Sequence, residues 1–258
     1  RRILLGEETR TEEIAGLLSE IKNSPRVKAL LSESLPDGSL PHHPYSKWDG
    51  AHWVLTILAD LEYPPGDQAL IPLREQDYAF YFISSQKPYH HQRFNKLIDG
   101  RIRVCASIEA NTLYALLKLE LADQHCDLLA RLLMGWQWQD GGWNCDKNPT
   151  ASHSSFHETL IPMRALALYA QKSGDSLARA SAERAAEVFL KRRLLFRMSD
   201  NKIIDPNFAK LHYPCYWHYD YLFGLKVLAE MGLISDPRCQ TTLDLLESKR
   251  LPDSGFPA

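Results

Sequence analysis

Four stretches of the chain carry large apolar residues at helical spacing behind a polar one. His52 precedes Leu55, Leu58 and Leu61 by three, six and nine positions, and Asn111 precedes Tyr114 and Leu117 by three and six. His157 stands likewise before Leu160, Met163 and Leu166, and Tyr219, next to His218, stands before Leu222, Leu225 and Leu228. Small and apolar residues elsewhere on these helices fit a buried inner ring. Between them lie more amphipathic stretches at residues 11–23, 67–85, 126–136, 175–194 and 236–248. These predict outer helices with one face in solvent; residues 181–192, rich in Ala, Glu and Arg, show a wide charged face. A convincing alternating pattern of strands appears nowhere, so a β-propeller is disfavoured.

The punctuation between these helices repeats. Leu35-Pro36-Asp37-Gly38-Ser39-Leu40-Pro41, Trp138-Gln139-Asp140-Gly141-Gly142-Trp143-Asn144 and Leu251-Pro252-Asp253-Ser254-Gly255-Phe256-Pro257 share one turn chemistry: an Asp-Gly-type reversal followed by a bulky apolar residue that re-enters the core. Weaker copies are Asp99-Gly100-Arg101-Ile102 and Asp200-Asn201-Lys202-Ile203, so the five aspartates are 62, 41, 60 and 53 residues apart. A period near fifty is room for two helices and their loops, and such units must stack to bury their faces. The expectation is an all-α chain, an (α/α) toroid or barrel of helical hairpins forming a single domain over residues 1–258. The turn at Asp253–Ala258 should introduce another inner helix, so the ring is expected to be incomplete, its C-terminal closing segment missing.

Composition is that of ordinary globular material, 45% hydrophobic and 24% charged, with a formal net charge of -2 that offers no overall field for nucleic acid or an anionic membrane. The chain begins with Arg1, shows no apolar signal core and has no apolar run near 18 residues, so neither export nor a spanning segment is expected. Cys105, Cys126, Cys145, Cys215 and Cys239 are odd in number and form no CxxC pair, which argues against a disulfide framework and a four-cysteine zinc site. A reducing cytoplasm is the expected compartment. His42-His43-Pro44 and Tyr89-His90-His91 read as solvated turns, and Lys191-Arg192-Arg193 as an exposed face.

Residues 129–143, above all Gln137-Trp138-Gln139-Asp140-Gly141-Gly142-Trp143, resemble the glutamine-tryptophan (QW) repeat of squalene-hopene and oxidosqualene cyclases. The resemblance places the chain with the terpenoid-cyclase and protein-prenyltransferase toroids. It implies that Gln137 ties helix ends together while Trp143 packs beneath them. The Asp-x-Asp-Asp acid motif of class II cyclases and the Asp-Asp-x-x-Asp magnesium motif of class I synthases are both absent. The implied scaffold therefore comes without either standard cyclase chemistry, and function has to be argued from the site.

In such a toroid the starts of the inner helices converge at one mouth. Here those starts offer Trp48, Asp49, His52 and Trp53; Cys105, Glu109 and Asn111; Cys145, Asp146, His153, Phe156, His157 and Glu158; and His212, Trp217, His218, Tyr219, Asp220 and Tyr221. Three functions suit that constellation. For acid–base chemistry on an isoprenoid or other small apolar ligand, His52, Glu109, His157, Glu158, His218 and Asp220 are the catalytic candidates. Trp53, Asn111, Trp143, Phe156, Trp217, Tyr219 and Tyr221 would then line the cavity and steady positive charge. Alternatively, resemblance to prenyltransferases implies a zinc ion held by Cys145, Asp146, His153 or His157, and His218, although Ser155-x-x-Glu158 reads equally as a capping box that starts a helix there. Outside this chemistry stand a polysaccharide lyase using Asn111, His157 and Tyr219, a glycosidase pairing two of Asp49, Glu109, Glu158 and Asp220, and a non-catalytic protein that holds a lipid or peptide.

Overall fold

A computed structural model describes residues 12–84, 87–88 and 96–257. The protein is mainly helical, with ten α-helices among these residues: α1 Glu12–Asn23, α2 Pro25–Leu30, α3 Ala51–Asp60, α4 Ile71–Tyr81, α5 Ala106–Lys118, α6 Gln124–Trp136, α7 Phe156–Ser173, α8 Ser176–Leu190, α9 Tyr221–Glu230 and α10 Gln240–Glu247. The chain forms two compact units. One comprises Arg1–Lys96 with Ile108–Leu133, the other Leu97–Ser107 with Met134–Ala258.

The four helices read as inner ones are α3, α5, α7 and α9. Every residue of α3 from Ala51 to Ala59 is buried, as is every residue of α5 from Ala106 to Leu117. In contrast, α8 keeps Ala178, Ala182, Ala185, Ala186 and Phe189 inside and turns its charges outward. In the first unit α3 packs on α4; in the second α7 packs on both α8 and α9, and α9 on α10. No helix among the described residues is long and apolar enough to cross a membrane.

The ends of the elements repeat more faithfully than their sequences. After α3, α5 and α9 the chain stops in the same way. Glu62 (φ 58°), Glu120 (φ 55°) and Gly232 (φ 75°) adopt the left-handed conformation, and the next amide donates back to the carbonyl five residues earlier, Tyr63 to Leu58, Leu121 to Leu116 and Leu233 to Leu228. This is the Schellman stop, which satisfies carbonyls orphaned at a helix end. An aspartate then opens the following element: Asp67, Asp123, Asp175 and Asp236 each accept an amide hydrogen bond from the residue two positions on.

The three strong turns also share one hydrogen-bond pattern. The amides of Leu35, Trp138 and Leu251 donate to the carbonyls of Ser39, Gly142 and Gly255, while those of Gly38, Gly141 and Ser254 donate back to Leu35, Trp138 and Leu251. The fourth residue of each carries a positive φ, 83°, 103° and 68°. Local chemistry thus sets the repeat, since an Asp-Gly-type pair suits the left-handed residue that such a reversal needs.

Two departures from an all-α chain occur. Strands β1 (Phe82–Ser84) and β2 (Lys87–Pro88) pair antiparallel, and β3 (Lys96–Ile98) pairs with β4 (Arg101–Arg103). The weak turn copy at Asp99-Gly100 is therefore a β-hairpin turn. Both residues have positive φ, 49° and 68°, the combination that matches the twist of two strands. Strands of three residues are too short to announce themselves by alternation. The leucine register is also not the register of helix starts. His52 and His157 are second residues of their helices, Asn111 is the sixth of α5, and Tyr219 lies before α9 begins. Of the flagged histidine pairs, His90 and His91 lie outside the described residues.

Candidate functional site

In the first unit, the candidates become part of a buried polar network. His52 on α3, Asp77 and Tyr81 one turn apart on α4, and Thr112 on α5 are all fully buried. Thr112 donates its hydroxyl hydrogen to Asp77 Oδ2 at 2.8 Å. The Tyr81 hydroxyl lies 2.9 Å from Thr112 Oγ1 and 3.0 Å from His52 Nδ1. Burial, then the charges of Asp77 and Glu109, push the Tyr81 phenol well above its ordinary pKa, so it keeps its proton. Trp53 stands edge-on to the His52 ring with centroids 4.5 Å apart. Trp53, Glu109 and Asn111 are themselves buried, and Asp49 is exposed. His52 is thus fully buried, with Asp77, Tyr81 and Thr112 as partners that the sequence did not announce. Their only signal was the i, i+4 spacing of Asp77 and Tyr81 on a helix read as outer.

In the second unit, Gln137 ties the 137–143 turn to the middle of α8 rather than to a helix end. Gln137 donates to the carbonyls of Gly141 (2.7 Å) and Ser181 (2.9 Å), and its carbonyl accepts from the Ser181 hydroxyl and from Arg184. Trp138 Nε1 donates to the Ile102 carbonyl at 2.9 Å, and the Trp143 amide to Thr159 Oγ1 at 3.1 Å. Gly142 passes so close to Thr159 and Ser154 that a Cβ there would overlap both. These contacts lay the 143–145 segment against residues 102–105, where the Val104 amide donates to the Asn144 carbonyl. Cys145 thereby comes to lie beside Cys105.

Glu158, in the first turn of α7, completes this corner. Its Oε2 accepts the Ser107 amide at 3.0 Å and its Oε1 accepts from Cys145 Sγ at 3.4 Å. The capping-box expectation is corrected here: Ser155 is the N-cap of α7, but it makes no side-chain cap bond, and Glu158 serves the start of α5. The hydrogen bond with Cys105, burial and the Glu158 charge hold the Cys145 thiol well above its ordinary pKa. Cys105, Cys145 and Glu158 are, among the described residues, the one group of three His, Cys, Asp or Glu side chains whose ligand atoms all lie within 4.8 Å of one another. No three of Cys145, Asp146, His153 and His218 form such a group. Asp146 instead accepts the Asn148 amide in an exposed loop, and His153 is exposed, its carbonyl held by Asn144. Cys105 was recognised as a helix-start residue, but its partnership with Cys145 depends on a contact across 40 positions of sequence.

One residue earlier on α7, His157 enters an aromatic cluster. Its ring centroid lies 5.3 Å from Phe208, 6.1 Å from Trp217 and 6.5 Å from His218. His218 stacks on Trp217 at 4.0 Å and lies parallel to His212 at 5.9 Å. His157, Trp217 and His218 are half-buried, whereas Trp143, Phe156, Tyr219 and Tyr221 are buried as core. Burial, then the neighbouring His218, lower the His157 pKa, so its imidazole is neutral at physiological pH. Asp220 is occupied otherwise: Oδ1 caps α9 by accepting the Phe223 amide at 2.8 Å, and Oδ2 accepts the His212 amide at 2.7 Å. The second unit thus brings His157, His218 and Trp217 together and gives Asp220 a structural task.

Comparison with protein-family models, with curated proteins and with solved structures finds no match for this chain.

Proposed function

We propose that the helical hairpins belong to a terpenoid-cyclase-like or prenyltransferase-like toroid, and that the protein binds and transforms an isoprenoid or similarly apolar ligand at the aromatic face of the second unit. One observation carries this reading: the half-buried His157 ringed by Phe208, Trp217 and His218, with burial lowering its pKa. Ring faces suit an apolar chain and steady a developing positive charge, and a neutral imidazole beside them can take up the proton that such chemistry releases. His157 is the proton acceptor in this proposal, with Trp217 and His218 as the wall on which the ligand rests.

Carbohydrate cleavage is less well supported. A glycosidase needs two carboxylates free to flank one bond, and in this unit Asp220 is engaged as a helix cap while Glu158 is held between an amide and a thiol.

The experiment offers isoprenoid diphosphates, cyclic terpenoids and uronate oligosaccharides to the protein and follows tryptophan fluorescence and product formation. Saturable binding of an isoprenoid is expected, weakened at least about tenfold by Trp217→Ala. His157→Gln should remove turnover while leaving binding largely intact, and the acidic limb of the wild-type rate profile should fall below about pH 6.5, the ordinary imidazole value. Binding of uronate oligosaccharides alone, isoprenoid binding indifferent to Trp217→Ala, or turnover indifferent to His157→Gln would refute the assignment.

A further inference from the structure

We propose that Cys105, Cys145 and Glu158 form a binding site for a soft divalent cation, zinc in the first place, with a fourth coordination position left to water. The geometry carries the proposal independently of the ligand assigned to the His157 face. In a tetrahedral zinc site with Zn–S near 2.3 Å and Zn–O near 2.0 Å, a sulfur and an oxygen ligand stand about 3.5 Å apart and two sulfurs about 3.8 Å. Cys145 Sγ and Glu158 Oε1 are already 3.4 Å apart, and all three ligand atoms fall within 4.8 Å of one another. Closing on a cation therefore needs side-chain adjustments of an ångström or less, with no backbone rearrangement.

The support around the ligands has the character of a built site. Cys105 immediately precedes α5, Cys145 follows the rigid 137–143 turn, and the backbone bond from Val104 to Asn144 locks the two segments side by side. Glu158 is held by the Ser107 amide through Oε2, which leaves Oε1 facing the thiols, the outer-shell anchoring typical of metal-binding carboxylates. Two thiolates with one carboxylate select zinc over magnesium or calcium, which prefer all-oxygen sets. Cys105 and Cys145 are half-buried while Glu158 is 8% exposed, so a cation would enter past the two thiols. Both thiols must lose their protons on binding, so loading releases two protons per ion.

The set differs from the one expected by resemblance to prenyltransferases. It keeps Cys145 and replaces Asp146, His153 and His218 with Cys105 and Glu158.

The test begins with the purified full chain stripped by a chelator and titrated with zinc alone, with cobalt(II) as a spectroscopic substitute. About one ion per chain is expected, and cobalt should show a near-ultraviolet charge-transfer band of two thiolates. Cys105→Ser and Cys145→Ser should each weaken zinc binding by about 100-fold or more and halve that band, and Glu158→Gln should weaken binding about 10–100-fold without changing it. Asp146→Asn, His153→Gln, His218→Gln and the control Cys215→Ser should leave affinity within about twofold. The cobalt band of the unmutated protein decides the matter even if a serine variant fails to fold. Absence of that band, zinc binding indifferent to Cys105→Ser, or loss of zinc in His218→Gln would overturn the proposal. Because the readouts are metal affinity and a charge-transfer band, failure here is separable from failure of isoprenoid binding.

Discussion

Glu230→Gln tests how the second unit is held together. Glu230 ends α9 and receives a two-pronged ion pair from Arg164 on α7, Nε to Oε2 at 2.7 Å and Nη2 to Oε1 at 2.9 Å, with Lys226 one turn back on the same helix. Arg164 is 4% exposed, so this ion pair places a carboxylate against a buried positive charge. Burial alone would raise the Glu230 pKa, but Arg164 and Lys226 overcome it and hold the carboxyl at about 2, against 4.5 for a free glutamate. A depressed acid stabilises the fold above its unfolded pKa and loses that contribution as pH falls through the folded value. The gap between about 2 and 4.5 is worth about 3 kcal/mol at neutral pH, about 40% of which remains at pH 3. Glutamine keeps the shape and one acceptor oxygen but removes the charge. Urea unfolding followed by circular dichroism and tryptophan fluorescence should therefore show Glu230→Gln about 3 kcal/mol less stable at pH 7, with the gap to wild type narrowing between pH 5 and pH 3. A gap under about 1 kcal/mol at pH 7, or one that does not narrow on acidification, would show that the pair does not tie α7 to α9 as argued.

Two further substitutions probe the scaffolds on which the sites stand. Gln137→Ala removes one hydrogen bond within the tryptophan turn and three to Ser181 and Arg184 in the middle of α8 and should cost about 2 kcal/mol in urea unfolding. It should also loosen zinc binding at Cys145, because that residue follows the same turn; unchanged stability and unchanged metal affinity would refute the tie. Tyr81→Phe leaves His52 Nδ1 and Thr112 Oγ1 without the buried hydroxyl between them and should cost about 1–2 kcal/mol in thermal or urea unfolding. Wild-type stability in that variant would mean that the His52 network contributes nothing to the first unit.

Much of the fold was legible because its signals are local. The three strong Asp-Gly-type turns and the mainly apolar helices are each decided by a few neighbouring residues, and both appear in the structure. Glu62 and Glu120 were harder to read, since the helix stop they share with Gly232 uses residues that seldom adopt a positive φ. The short strands also escaped notice, because a three-residue ladder is stabilised by its Asp99-Gly100 turn and by what packs around it, and hardly at all by its own pattern.

The candidate sites show where reading a sequence stops. The chain by itself determined that histidines, carboxylates, cysteines and aromatic rings gather near helix starts, because turn and cap chemistry places those starts. It could not determine which of them meet. Only the tertiary structure sealed His52 against Asp77, Tyr81 and Thr112, assigned Asp220 to a helix cap, and set Cys105 beside Cys145 and Glu158. The reason is physical: helix starts follow from interactions within a few residues, whereas a ligand set depends on which distant segments pack together. The Val104–Asn144 backbone bond, spanning 40 positions of sequence, made that choice for the two cysteines.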